Sequence, residues 1–148
     1  FSQAVLEHVY LEEIDELLKE TARILSPGGV IVHQIDLKDH LGGNLNNLRF
    51  SKSLWESSFL RDCGFYTNRV RFSEWEQRFK AYFDFEIVSK VPFEKSLKTL
   101  KKGLHKEFQG YSDEDYLISD IKVVGTVKVK NGKTSRTSKE AVLSAESA

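Results

Sequence analysis

The sequence predicts an α/β layered fold with a parallel sheet. Two observations predict it: an acidic helix with a single apolar stripe, and a tight glycine turn that feeds a β-branched run. Helix, tight turn and buried strand in that order make half of a βαβ unit.

The helix is expected over residues 11–25. Leu11, Ile14, Leu18, Ala22 and Leu25 step by three or four, so they form one stripe. Glu12, Glu13, Asp15 and Glu16 crowd its first turns, where the positive end of the helix dipole favours carboxylates. Ser26-Pro27-Gly28-Gly29 stops it. The run Val30-Ile31-Val32-His33-Gln34-Ile35 then reads as a strand buried on both faces. Phe1–Leu6 reads as the tail of the preceding strand and its exit loop.

Residues 36–72 read as irregular, with loop signals at Gly42-Gly43-Asn44 and Asn46-Asn47 and a short helix within Phe50–Phe59. A loop region of this length in a compact domain is usually functional. A helix is expected over 73–83, capped by Ser73 with Glu76 three positions on, its apolar face made by Trp75, Phe79, Tyr82 and Phe83. Phe85–Val91 alternates as a strand that Pro92 ends. A Lys-rich helix follows over 94–107, with Leu97, Leu100 and Leu104 on one side. A last strand runs from Ile118 to Val129, with Gly125 as a bulge or end point. Residues 130–148 hold little apolar content and read as a disordered tail.

Composition removes several function classes. Lys+Arg and Asp+Glu are 22 each, so the formal net charge is zero and a globally basic nucleic-acid binder is disfavoured. The single Cys63 cannot form an internal disulfide, which points to a reducing compartment and hence the cytoplasm. No apolar run reaches the ~20 residues of a membrane helix. Met is absent and the chain opens in mid-pattern at Phe1, so the expectation is the C-terminal part of a longer polypeptide.

The segment Ser2-Gln3-Ala4-Val5-Leu6-Glu7-His8-Val9, the helix end Glu20-Thr21-Ala22-Arg23-Ile24-Leu25 and the turn Ser26-Pro27-Gly28-Gly29 into Val30-Ile31-Val32 resemble the class I S-adenosylmethionine-dependent methyltransferases. The resemblance is to the second half of that domain. It runs from residue 1 to about 125, weakening after 92. It implies a Rossmann-like sheet with helices on both faces and a final antiparallel strand, residues 1–129 forming the domain portion and 36–72 a substrate-side insertion. The family's Gly-rich cofactor loop and its acidic ribose-binding strand end do not occur in this sequence, so weak cofactor binding is expected of this chain alone. Gly42-Gly43 is not a substitute, because it follows no suitable βα junction.

The resemblance implies S-adenosylmethionine as cofactor and a small-molecule or lipid-linked acceptor. It places Ser2, Gln3, Val5 and His8 on the cofactor side, where His8 reads equally as a helix cap. Asp36, Asp39, His40, Arg69 and Arg71 fall on the substrate side. Against these stand plain structural readings: loop capping for either aspartate, and ion pairs with Asp62 or Glu74 for the arginines. Arg69 and Arg71 would share one side of an extended segment with Asn68 nearby. His33, Asp36, Asp39 and His40 invite a metal reading, but their spacing argues against it and no metal is expected. Methyl transfer needs alignment more than covalent catalysis, so no catalytic triad is expected. Two other classes stay open: a noncatalytic α/β interaction module, and a metal-dependent hydrolase.

Overall fold

The computed structural model describes residues 1–128; the tail expected over 130–148 lies outside the described residues. One four-stranded mixed sheet organises the described residues, in the order β1-β2-β4-β3. Strand β1 is Ser2–Gln3, β2 is Val30–Asp36, β3 is Phe83–Pro92 and β4 is Ile118–Val127. β1 and β2 are parallel, while β4 is antiparallel to both of its neighbours, β2 and β3. It follows that β1, β2 and β3 point one way and the last strand the other. The sheet is therefore α/β and mixed, with one parallel pair, where the helix–turn–strand pattern suggested a parallel sheet and the resemblance a final antiparallel strand.

The stripe helix forms as α1, Ile14–Ile24, with Ile14 and Leu18 fully buried. Residues 11–13 form turns and do not extend it. Gly28 takes a φ of 79°, and the Gly29 amide donates to the Ser26 carbonyl at 2.8 Å, closing the turn into β2. β2 is central, but it is not buried on both faces. Ile31, His33 and Ile35 are buried, whereas Val32, Gln34 and Asp36 are half-buried. Ile31 and Ile35 meet Ile14 and Leu18 of α1, Trp75 and Phe79 of α4 (Phe72–Tyr82), and Ile121 and Val123 of β4. Each such side chain contributes roughly 1.5–3 kcal/mol on burial. Strand side chains alternate between faces, so α1 and α4 lie on the same face of the sheet. Helices on both faces were the expectation; the two longest share one.

Helix α4 is not capped by Ser73. The Glu74 carboxylate accepts the Arg71 amide at 2.9 Å, and Ser73 instead donates its amide and hydroxyl to Asp115. The Lys-rich stretch is not one helix either. Only Leu97–Leu100 is α-helical (α5), and Gly103 adopts a φ of 76°, which ends the turn that follows. Leu100, Leu104 and Phe108 still face one way and bury against Leu45, Leu48 and Tyr116 in a second cluster. The short helix expected within Phe50–Phe59 appears as two, α2 (Lys52–Trp55) and α3 (Ser58–Arg61). Gly125 is neither bulge nor terminus: a Cβ there would lie 2.9 Å from the Cβ of Phe85 on the adjacent β3, so the strands approach too closely for a side chain. A last short helix, α6 (Asp113–Leu117), leads into β4.

Candidate functional site

Chain direction fixes where a site can form. β1 and β2 run in parallel, with Ser2 beside His33 and Gln3 beside Gln34. Their carboxyl ends therefore open onto one rim, and ligands of open α/β sheets bind at such ends. The Gly28-Gly29 turn enters β2 at the other rim. The seven residues of β2 separate the two rims by ~20 Å.

At the carboxyl rim the chain leaves β1 through Ala4, whose φ of 51° is the left-handed conformation that disfavours a Cβ. It then makes one 3-10 turn, Leu6–His8. Gln3, Val5 and His8 are exposed there. His8 meets His40 edge to face, with ring centroids 4.8 Å apart. Hence His8 of the segment after β1 and His40 of the loop after β2 come together, although 32 positions separate them in the chain.

Glu7 lies between them in chemistry, and only its neighbours were candidates from sequence. It is 2% exposed, and neither carboxylate oxygen has a hydrogen-bond partner. Burial raises its pKa, against smaller lowerings by its own backbone amide, by His8 and by the Asp36 amide, while the Asp36 charge adds a further rise. The one signal in the sequence is an acid set among Val5, Leu6 and Val9 just ahead of a helix.

The rim segment is held from behind by Tyr66–Asn68. The Asn68 amide donates to the Glu7 carbonyl at 2.8 Å, and the Asn68 side chain donates to the carbonyls of Leu6 (2.7 Å) and Val9 (3.1 Å). His8 Nδ1 lies 3.0 Å from the Tyr66 carbonyl oxygen. Burial and the Glu56 carboxylate that accepts the Tyr66 hydroxyl push the Tyr66 phenol up.

The remaining candidates are placed as follows. The Ser2 hydroxyl bonds His33 Nδ1 at 2.7 Å. His33 itself faces the helices, stacked 5.9 Å from Phe79, and burial lowers its pKa to about 4. Asp36 ends β2, accepts the Lys38 amide at 2.8 Å and pairs with the Lys38 ammonium at 2.9 Å. It stands opposite Asp120 of β4. Burial raises the Asp120 pKa, while Gln34 donates to both of its oxygens. Asp39 is buried, and its carboxylate accepts the amides of Leu41 and Asn46, the work of a loop cap.

Arg69 and Arg71 do not share a side. Arg69 has a φ of 62°, which breaks the extended segment assumed for it. Its guanidinium donates to the carbonyls of Asn47 and Phe50 and pairs with Glu56 at 3.1 Å. Arg71 is fully buried and donates to the carbonyls of Leu37, Asp115 and Ile118. Burial lowers its pKa to about 10. Neither of the ion-pair partners expected for the arginines, Asp62 or Glu74, pairs with a guanidinium; Glu74 accepts the Arg71 amide instead. A small pocket lined by Asn68, Arg69, Glu74, Phe108 and Tyr111 lies behind the rim segment.

The four residues of the metal reading are dispersed by these placements: His33 points to the core and Asp39 is spent on its loop. Among the described residues no group of three or more His, Cys, Asp or Glu is arranged to hold a metal ion. Nor is any helix among them long and apolar enough to cross a membrane. Comparison with protein-family models, curated proteins and solved structures finds no match for this chain.

Proposed function

We propose that this chain is the cofactor- and substrate-facing second half of a class I methyltransferase domain and transfers a methyl group from S-adenosylmethionine to a small-molecule or lipid-linked acceptor. One observation carries the reading. Gln3, Val5, His8, Asp36 and His40, drawn from two separate stretches of sequence, stand at the carboxyl ends of the one parallel strand pair. The direction of β4 supports it further, since the resemblance implies a final antiparallel strand.

The rim fits a polar ligand. Glu7 offers two buried oxygens without partners, and the left-handed Ala4 turns the chain so that the exposed Gln3 and Val5 border the opening. In this reading Gln3 and Val5 line the cofactor. Asp36 and His40 border the acceptor from the β2 side. Bound S-adenosylmethionine supplies a methyl group on a positively charged sulfur. The protein's task is alignment, which can lower a barrier by ~7–11 kcal/mol. Ser2, Asp39, Arg69 and Arg71 act through the scaffold, because the Ser2 hydroxyl, the Asp39 carboxylate, both terminal nitrogens of Arg69 and the Arg71 guanidinium are engaged with other parts of the chain. The lone Cys63, exposed and unpaired, agrees with a cytoplasmic setting.

Titration calorimetry tests the reading. S-adenosylmethionine should bind the full-length protein and bind residues 1–148 at least tenfold more weakly, since the Gly-rich loop is not in this sequence. Equal, tight binding to both would misplace the cofactor site; no binding to the full-length protein would end the methyltransferase reading. In the full-length protein, Asp36→Ala should slow turnover far more than Ser26→Ala, which sits at the opposite rim.

A further inference from the structure

We infer that His8 is the general base of the site, taking a proton from the methyl acceptor through Nε2, and that the acceptor is therefore a protic hydroxyl or amine. The inference rests on the methyltransferase reading and adds a residue role and an acceptor class to it.

The geometry starts at Nδ1. It lies 3.0 Å from the Tyr66 carbonyl oxygen, which can only accept. Nδ1 therefore carries the hydrogen, and in the neutral ring Nε2 holds a lone pair. This is the less common tautomer of free histidine, and a fixed partner on one ring nitrogen is what leaves the other as acceptor. The ring is exposed at the rim, so the lone pair is accessible. The orientation is enforced from behind. Three Asn68 hydrogen bonds hold the carbonyls of Leu6, Glu7 and Val9, so the backbone on both sides of His8 is fixed.

The groups that face His8 favour the proton's arrival. Glu7 precedes it with an unpartnered, buried carboxylate that couples to it electrostatically. Asp36 couples to Glu7 and is itself paired with the Lys38 ammonium. His40 packs on the ring from the β2 side, and the Tyr66 phenol, pushed up by burial, stays neutral. An imidazolium at His8 would have the Glu7 carboxyl as its neighbour and keep its hydrogen bond to the Tyr66 carbonyl.

The step balances. The acceptor's oxygen or nitrogen uses a lone pair to bond the methyl carbon as the methyl–sulfur bond breaks onto sulfur, turning a sulfonium into a thioether. The acceptor's hydrogen passes to His8 Nε2, giving the imidazolium. Water later removes that proton.

Two measurements on the full-length protein test this. The first needs no substrate: nitrogen-15 NMR of the ring should show neutral His8 protonated at Nδ1, and protonation at Nε2 instead would overturn the inference. The second uses methyl-tritiated S-adenosylmethionine with a methanol extract of the source cells as acceptor pool. Wild-type protein should label a product. His8→Asn keeps a donor for Tyr66 but has no base, and should lose ~100-fold or more in rate. His8→Ala should be rescued by added imidazole, which a purely structural histidine would not allow. Labelling by His8→Asn at the wild-type rate sinks the base while leaving the methyltransferase reading intact. No labelling by the wild type sinks the reading, and the base with it.

Discussion

Arg71 and Glu7 are both ionisable and both buried. Arg71 spends its guanidinium on the carbonyls of Leu37, Asp115 and Ile118. Glu7 spends neither oxygen. The difference teaches how to read buried charge. A group whose hydrogen-bonding capacity is exhausted by the chain is part of the architecture. A group left with spare capacity next to exposed His8 and His40 is the place to test for a ligand, since an unsatisfied buried polar group costs about 1–3 kcal/mol.

The sharpest way to break the comparison is at Arg71. Arg71→Met removes the donors and leaves three buried carbonyls without partners. We expect a loss of about 3–5 kcal/mol in urea unfolding, enough to abolish folding of a marginal domain. A loss below 1 kcal/mol would mean that the Arg71 bonds are incidental.

Next comes the pH dependence of His33. Burial lowers its pKa from 6.5 to about 4, so the unfolded chain binds the proton more readily than the native one. The stability is present in full above pH 6.5 and is lost as pH falls through 6.5 toward 4, by ~2–3 kcal/mol. His33→Phe should remove this acid loss. An unchanged stability–pH curve between pH 7 and 4 in that variant would assign the loss to other groups.

Glu7 should behave in the opposite sense to Arg71. Its folded pKa is raised by burial, so its ionisation disfavours the native state, and stability declines as pH rises above 4.5 through the folded value. Glu7→Gln should flatten that decline and leave the protein about 1–2 kcal/mol more stable at pH 8. The same variant should impair labelling by the full-length protein. A variant both less stable and fully active would reverse the assignment of Glu7 to the site.

How much of this could be read in advance follows from the range of the forces involved. The α1 stripe and the β2 run were legible because local periodicity dictates them, and both formed close to where they were expected. The Lys-rich helix failed at Gly103: the leucine spacing reported a buried face correctly but could not report the chain break. The arginines were misread for a different reason. Apart from Glu56, their partners are backbone carbonyls 19 to 47 positions away, and a carbonyl has no signature in sequence. Glu7 was passed over because a carboxylate beside a helix start looks like an ordinary dipole partner. Only its burial distinguishes it. The meeting of His8 with His40 was implied by strand direction, since both follow carboxyl ends of parallel neighbours, but the ring contact itself depends on the loop that Asp39 caps.

The smallest effect is expected at Ala4. Its φ of 51° places a Cβ in a conformation that costs ~1 kcal/mol relative to glycine, and its amide still donates to the Gln34 carbonyl at 3.0 Å, so the strand exit is held while strained. Strain of this kind persists where surrounding structure over-determines it, and it clusters at binding sites. Ala4→Gly should relieve it. Part of that gain is offset by the freedom glycine adds to the unfolded chain, so a net stabilisation of only ~0.5 kcal/mol is expected. The more telling readout is function. If Ala4 aims Gln3 and Val5 at the ligand, the freed backbone should weaken S-adenosylmethionine binding by the full-length protein a few-fold while unfolding becomes harder. Stability and affinity would then move in opposite directions on one substitution. If they rise together, the left-handed turn is a feature of the scaffold alone, and Ala4 belongs with Arg71 and not with Glu7.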